Sequence, residues 1–188
     1  MTIKLIIGLG NPGAEYAKTR HNVGAWFIDT LAASLHAEFK KEKKFTAEVA
    51  KVSIDGHECY LLKPLTFMND SGHSVQAAAH FYKVAPKEML IAHDELDFPV
   101  GQVKLKVGGG HGGHNGLRDI AEKLASTDFL RLRIGIEHPG HKDRVTAHVL
   151  NAPSAHDKKL IDDSIIDALR VLPDVINGKI EKAMRDLH

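Results

Sequence analysis

One histidine and one aspartate stand where a hydrolytic site would need them. His21 lies near the end of the glycine-rich stretch 8–22, which follows the apolar run 3–7, and Asp94 comes shortly after the apolar run 89–92. An imidazole has a pKa near neutrality and can take a proton from water, while a carboxylate beside it can fix its tautomer. Both side chains leave the ends of predicted strands, where ligands usually bind in open α/β sheets. The sequence therefore predicts a hydrolase with His21 as the general base and Asp94 as its orienting partner.

Three asparagines lie in similar settings and supply neutral hydrogen-bond donors and acceptors. Asn11 and Asn115 belong to glycine-rich turns, and Asn69 follows a strand that ends near Pro64. Each asparagine alone is typical of a turn or a helix cap. Their common position at strand ends or turn tips, beside a histidine and an aspartate, favours a role in binding.

The elements that must position these residues follow from hydrophobic spacing, which predicts one α/β domain over residues 1–188. Asp55-Gly56 predicts a two-residue hairpin turn, and Asp70 or Ser71 is expected to cap the second helix. The predicted strands are 3–7, 44–54, 57–63, 89–92, 102–107 and 130–136, and the predicted helices are 22–35, 70–82, 116–124 and most of the chain from about 143.

Composition sets limits on the function. The formal net charge of the 188 residues is only +1, so no global field indicates a nucleic-acid or membrane partner. The single cysteine, Cys59, excludes an intramolecular disulfide and favours a packed strand thiol. The sequence shows no leader and no apolar run approaching about 18 residues, so a cytoplasmic protein is expected. Local basic clusters, which fit either a solvated surface or a phosphate contact, are Lys40, Lys41, Lys43 and Lys44, and then Lys104, Lys106, Arg118, Arg131 and Arg133.

Two glycine-rich stretches permit other functions. Residues 8–13 match the dinucleotide-binding pattern G-x-G-x-x-G, but the polar tract 14–19 delays the helix that should hold the pyrophosphate. Residues 108–116 lack the Lys-Ser/Thr ending of a phosphate-binding P-loop. Glycines at this density also suit a loop that covers a substrate, and both interpretations of the second stretch stay open.

A metal site and a serine nucleophile are the remaining catalytic alternatives. Histidine pairs occur at His111-x-x-His114 and His138-x-x-His141, and His93 precedes Asp94. Both pairs lie in glycine or proline turns that would not hold ligand geometry by themselves, so a catalytic metal is the weaker hypothesis. No serine lies in a G-x-S-x-G elbow, which disfavours a covalent serine hydrolase.

Five motifs in order carry a family resemblance. They read G-L-G-N-P-G-x-x-Y-x-x-T-R-H-N-V-G, T-F-M-N-x-S-G, H-D-E-L-D, G-G-G-H-G-G-H-N-G-L and R-L-R-I-G-I, and they cover residue 3 to about residue 140. Together they resemble bacterial peptidyl-tRNA hydrolases. The resemblance implies a single α/β domain with a mixed, mostly parallel central sheet flanked by helices. It also implies a monomer without cofactor or metal that cleaves the ester between a peptide and the 3′ end of tRNA.

The resemblance also implies a role for each matched residue. His21 would activate water, Asp94 would orient it, and Asn11 together with Asn69 would bind the peptide. The substrate would be engaged through its nascent peptide, its 3′ CCA end and its acceptor stem. Asn115 would position the water or the oxyanion, Tyr16, Phe67 and Met68 would contact the substrate end, His114 would line the cleft, and Lys106 and Arg133 would clamp a tRNA phosphate. A non-catalytic RNA-binding protein on the same scaffold is the alternative, which the intact His21 and Asp94 disfavour.

Overall fold

A seven-stranded mixed sheet forms the centre of the computed structural model, which describes residues 2–187. The strands are β1 Leu5–Gly8, β2 Lys40–Glu42, β3 Ala47–Ile54, β4 His57–Pro64, β5 Met89–Glu95, β6 Val103–Val107 and β7 Leu130–Gly135. Their order across the sheet is β2-β3-β4-β1-β5-β7-β6. Strands β4, β1, β5 and β7 are mutually parallel, whereas β2, β3 and β6 pair antiparallel with their neighbours. The predicted α/β class with a mixed, mostly parallel sheet is confirmed.

Helices cover both faces of this sheet. They are α1 Val23–Ser34, α2 Ser71–Tyr82, α3 Asn115–Leu124, α4 Val145–Val149, α5 Ala155–Ile176 and α6 Ile180–Leu187. Helices α1, α5 and α6 enclose one apolar core against the sheet, and α2 and α3 enclose a second core on its other face. Cys59 is buried within the first core, as the sequence predicts for a strand thiol. Within the described residues, no helix combines the length and apolar character that crossing a membrane requires.

The region before β3 differs from the sequence prediction. Residues 43–45 form a short 3-10 turn, and Thr46 follows with a φ of 51°, so β3 begins at Ala47 rather than at residue 44. The three residues Lys40–Glu42 pair with β3 as an edge strand, whereas the sequence pattern predicted only a basic cluster at Lys40 and Lys41. Hydrophobic spacing did not predict this strand, because edge strands commonly carry lysines that protect the open edge from pairing.

A close contact between α1 and the sheet fixes the segment that precedes the helix. A β-carbon added at Gly24 would collide with the carbonyl oxygen of Ala92 and would lie 2.8 Å from the backbone nitrogen of Leu9. The backbone of α1 therefore lies directly against β5 and the end of β1. Because His21 lies just before α1, this contact holds His21 beside the carboxyl end of β5.

Gly24→Ala should therefore destabilise the protein by about 1–3 kcal/mol, the usual cost of overpacking a well-packed contact. Chemical denaturation at equilibrium measures the change in the free energy of unfolding. Gly110→Ala is the matched control, because a β-carbon at Gly110 would meet no atom within 4 Å. Equal stability of the two variants would contradict the contact.

Two turns that the sequence predicted have different outcomes. Asp55 and Gly56 form the hairpin turn between β3 and β4 with φ values of 51° and 82°, as predicted. Asp70 occupies the N-cap position of α2, but the predicted side-chain cap is wrong, because Asp70 makes no capping hydrogen bond and Ser71 Oγ donates to the Met68 carbonyl. Instead the Gly72 N–H donates to Asp119 Oδ2 on α3 at 2.8 Å. The start of α2 is thus tied to α3, so the segments that carry Asn69 and Asn115 are held together.

Candidate active site

A buried carboxylate joins two imidazoles at the carboxyl end of β5. Asp94 Oδ2 lies 2.8 Å from His21 Nδ1, and Asp94 Oδ1 lies 2.7 Å from His114 Nε2. The Asp94 side chain is only 3% exposed, against 13% for His21 and 9% for His114. The two rings lie with centroids 5.2 Å apart. The structure therefore brings His21 and Asp94 together and adds a second histidine to the pair.

The hydrogen bonds of His114 assign the protons of the whole group. His114 Nδ1 accepts from the backbone N–H groups of Gly116 and Leu117 at 3.1 and 3.3 Å, because the residue is the N-cap of α3. Its proton therefore lies on Nε2, which donates to Asp94. His21 donates to the other carboxylate oxygen through Nδ1–H, so its Nε2 keeps a free lone pair. That atom can accept a proton from water.

Electrostatics favour a charged carboxylate and a basic imidazole. Burial alone would raise the pKa of Asp94, but the two imidazoles and their hydrogen bonds outweigh it and hold that pKa well below its usual range. Burial alone would lower the pKa of His21, but the charge and the hydrogen bond of Asp94 outweigh it and raise that pKa above 6.5. The imidazolium that forms when His21 takes a proton is thus stabilised by a fixed negative charge.

His93 is a third histidine at this point and stays neutral. Burial, with the neighbouring His114 as the next cause, lowers the pKa of His93 to about 3. Its Nδ1 donates to the backbone oxygen of Asp94 at 2.8 Å, and its Nε2 has no hydrogen-bond partner among the described residues. His93 therefore lines the site without adding charge to it.

Asn11 is oriented by its neighbours. Its side-chain oxygen accepts from the Met68 N–H at 2.7 Å, which leaves the amide Nδ2 as the group that can donate to a ligand. The side chain of Asn22 holds the Asn11 backbone through two hydrogen bonds of 2.9 Å. Asn22 Oδ1 accepts from the Asn11 N–H, and Asn22 Nδ2 donates to the Asn11 carbonyl oxygen. Sequence reasoning missed this role of Asn22, because only the folded loop brings the two asparagines together.

A cavity of about 800 Å³ is lined by His21, Asp94, His114 and Asn11, and also by a group of lysine and arginine side chains that we call the cationic end. Every predicted site residue except Tyr16 lines it, and Tyr16 lies edge-on to the exposed Phe67 with ring centroids 6.2 Å apart. The side chains of Asn69 and Asn115 form no hydrogen bond within residues 2–187, so both amides are available to a ligand. The predicted binding residues are thus grouped around one cavity.

The cationic end contains Lys106, Arg131 and Arg133. Arg131 is buried and donates to the carbonyl oxygens of Gly109 and Gly110, so it anchors the first half of the glycine-rich loop 108–116. Burial, and then the charge of Arg133, lower the pKa of Arg131. Sequence reasoning had grouped Arg131 with the basic surface residues, and only its burial reveals the anchoring contact.

The two imidazoles and the carboxylate also satisfy the distance requirement for a metal site. One ligand atom from each of His21, Asp94 and His114 lies within 4.8 Å of the others. However, His114 Nε2 carries a proton because Nδ1 accepts from two backbone N–H groups. A metal on Nε2 would have to displace that proton and break those bonds. The donor set therefore fits proton transfer better than metal binding.

An α/β sheet that holds an imidazole against a buried carboxylate at its strand ends, over a large cavity, is typical of hydrolases. The chain belongs to the peptidyl-tRNA hydrolase family, whose model matches residues 5–188. The resemblance seen in the sequence is thereby confirmed.

Curated relatives and solved structures agree with this assignment. The peptidyl-tRNA hydrolase of Coxiella burnetii strain RSA 331 is 59% identical over 186 residues, which cover 99% of this chain and 97% of the relative. That of Neisseria gonorrhoeae strain NCCP11945 is 54% identical over 187 residues, covering 100% and 97%. The crystal structure of peptidyl-tRNA hydrolase from Acinetobacter baumannii superposes with a TM-score of 0.96 at 48% identity, covering 98% of this chain and 94% of that one.

Proposed function

We propose that this protein hydrolyses the ester bond between the peptide and the 3′ end of tRNA in peptidyl-tRNA, which releases tRNA for reuse in translation. The observation that carries the proposal is the contact between His21 Nδ1 and Asp94 Oδ2 at 2.8 Å, which leaves His21 Nε2 free as a base. On this proposal the whole chain is one catalytic domain, a cytoplasmic monomer that needs neither metal nor cofactor.

The reaction proceeds by general-base catalysis without a covalent intermediate. His21 Nε2 takes a proton from a water molecule as that water attacks the ester carbonyl, and Asp94 stabilises the resulting imidazolium. The carbonyl oxygen gains negative charge in the tetrahedral transition state. Asn115, at the first position of α3 and lining the cavity, donates to that oxygen or positions the water. One well-placed donor of this kind contributes about 3 kcal/mol. The tetrahedral intermediate then collapses by breaking the bond between the carbonyl carbon and the ribose 3′ oxygen, and that oxygen takes the proton back from the His21 imidazolium.

The neutral amides distinguish a peptidyl ester from a free aminoacyl ester. The Nδ2 group of Asn11 donates to the peptide backbone, and Asn69, which also lines the cavity, binds the same segment. A free aminoacyl ester carries a hydrated ammonium group, which would lose water on moving against these neutral amides. A peptide amide can offer its carbonyl to Asn11 Nδ2 and its N–H to the Asn69 oxygen without that cost, so the protein accepts peptides irrespective of their sequence.

The rest of the cavity binds the RNA and the substrate end. Met68 and the edge-on pair of Tyr16 and Phe67 contact the substrate end. His114 lines the cleft and shares Asp94 with His21. Lys106 and Arg133 contact a phosphate of the acceptor stem.

A release assay tests this proposal directly. Wild-type protein should liberate peptide from N-blocked aminoacyl-tRNA and leave the unblocked ester largely intact, at equal rates with and without a metal chelator. Loss of activity with chelator, restored by zinc, would replace the proposal with a metallohydrolase. Binding of the RNA without single-turnover release would replace it with a non-catalytic RNA-binding function.

Neutralising Lys106 should weaken tRNA binding and its dependence on salt. Lys106→Ala removes one phosphate contact, so KM for whole tRNA rises and the slope of log K against log salt falls by about 1. Lys51→Ala is the control, since Lys51 pairs with Glu58 on the β3–β4 hairpin. Titrations at several KCl concentrations provide the measurement, and an unchanged slope would remove Lys106 from the phosphate contact.

A further inference from the structure

Four cations project from the same face of β6 and β7, and we call them the basic face. In the antiparallel register Lys104 lies directly opposite Arg133, and Lys106 lies directly opposite Arg131. The alternate residues Leu105 and Leu132 pack into the core on the other face. Like charges directly opposite each other destabilise a sheet. Since Arg131 is buried and donates to the carbonyls of the loop, the cations of the basic face that a ligand can reach are Lys104, Lys106 and Arg133.

One carboxylate, that of Glu95, partly offsets the positive charge of the basic face. Among the described residues, Glu95 is the only acidic side chain that forms an ion pair with the basic face. Its Oε1 accepts from Arg133 Nε at 2.9 Å, and its Oε2 accepts from the Asp97 N–H at 3.3 Å. The Glu95 side chain is 16% exposed and that of Arg133 is 21% exposed. Both oxygens of the carboxylate are thus held by hydrogen bonds. The side chain is largely buried, so solvent screens its charge only in part.

The same contact sets the direction of the Arg133 guanidinium. A guanidinium has five N–H donors in a fixed plane, and Glu95 uses the one on Nε. The Phe98 ring lies against the group, with its centroid 4.5 Å from Arg133 Cζ. The two terminal nitrogens are left for a ligand. In the parallel register His93 on β5 lies beside Arg133. His93 is neutral because its pKa is lowered, so the negative charge paired with Arg133 is that of Glu95.

We propose that Glu95 is a positioning and affinity-tuning residue, which aims the terminal nitrogens of Arg133 at a tRNA phosphate and weakens that contact through its negative charge. This inference rests on the proposed function. A phosphate of the acceptor stem is the same in peptidyl-tRNA and in deacylated tRNA, so tighter phosphate binding stabilises substrate and product equally and does not accelerate the chemical step. A carboxylate beside the phosphate contact keeps the product from being retained.

The test compares Glu95→Gln with Glu95→Ala. The carboxamide of Glu95→Gln still accepts from Arg133 Nε but carries no charge. We expect its Kd for a deacylated acceptor-stem RNA hairpin with a 3′ CCA end to fall about five- to tenfold, as for one partly screened charge at short range. KM should fall in step, while the single-turnover rate at saturation stays unchanged. Glu95→Ala removes the acceptor as well and should bind the hairpin less tightly than Glu95→Gln.

Three further variants serve as controls for the effect of Glu95→Gln on hairpin binding. Glu58→Gln removes the same charge from the β3–β4 hairpin, where Glu58 pairs with Lys51, and should leave the Kd unchanged. Glu95→Asp keeps the charge but shortens the side chain, and should bind no tighter than wild type. Adding Arg133→Ala to Glu95→Gln should abolish the gain in affinity.

The results separate this inference from the proposed function. Unchanged or weaker hairpin binding by folded Glu95→Gln, or equal affinity of Glu95→Gln and Glu95→Ala, would overturn the role of Glu95 even if the wild-type protein releases peptide normally. Failure of the wild-type protein to release peptide would instead overturn the proposed function.

Discussion

Replacing His21 with alanine should lower the single-turnover rate on N-blocked aminoacyl-tRNA by about 10²- to 10⁴-fold, the usual contribution of a positioned general base. The Asp94 contact leaves the lone pair of His21 Nε2 free, whereas both ring nitrogens of His114, the other imidazole on Asp94, are engaged in hydrogen bonds. In this variant Asp94 keeps its hydrogen bond to His114, so the buried carboxylate is not left without a partner and the protein should still fold.

The control for this variant is His156→Ala, which removes an exposed imidazole on α5. Both variants should unfold cooperatively and retain wild-type affinity for deacylated tRNA, with some loss of thermal stability in His21→Ala because Asp94 loses one partner. Full activity of His21→Ala would exclude His21 as the base.

The pH profile of the wild-type protein tests the same role by a second route. A base must be unprotonated to act, and the Asp94 charge raises the pKa of His21 above 6.5. The rate at low substrate concentration should therefore rise with pH and reach half its plateau above pH 6.5 rather than at it. A half-maximal point below this value would mean that burial outweighs the Asp94 charge.

Replacing Asp94 with asparagine should cost nearly as much as losing His21, about 10²- to 10⁴-fold in rate, because it reverses the tautomer of the base. His114 Nε2–H needs an acceptor, since His114 Nδ1 is occupied by two backbone N–H groups. The asparagine oxygen will therefore face His114, and its amide group will donate to His21 Nδ1. The His21 proton then moves to Nε2, and the lone pair needed for catalysis is lost.

A double variant checks this explanation. In Asp94→Asn/His114→Ala the asparagine is free to rotate and present its oxygen to His21 Nδ1–H, so part of the lost rate should return. Single-turnover rates of the two single variants and the double variant form the cycle. Strictly additive losses would mean that His114 does not dictate the orientation of residue 94.

Local pattern predicted much of this fold and of the candidate site. Apolar runs located every strand except the edge strand β2, and the position of His21 and Asp94 at strand ends was enough to predict that they would meet. The pairing of Asp94 with His114 was not predictable, because a glycine-rich turn such as the one around His114 does not hold a side chain in place by itself. It becomes rigid only through the N-cap of α3 and the Asp94 bond, which depend on tertiary structure.

Two other features were also not predicted because they depend on tertiary structure. A serine or aspartate before a helix predicts a local cap, whereas the start of α2 is capped by Asp119 from another helix. The contact between Glu95 and Arg133 joins neighbouring strands whose order in the sheet cannot be deduced from one sequence.

The glycine-rich loop 108–116 is fastened at both ends. Arg131 holds the carbonyls of Gly109 and Gly110, and Asp94 holds His114, so only residues 111–113 lie between the two attachments. Gly112 and Gly113, with φ values of 57° and 83°, lie in this short span and adopt backbone conformations that favour glycine. Displacement of the second half of the loop would have to break the bond between His114 and Asp94 and would take from the carboxylate one of its two imidazole donors. The position of this segment and the hydrogen bonding of the residue that orients the base are therefore coupled.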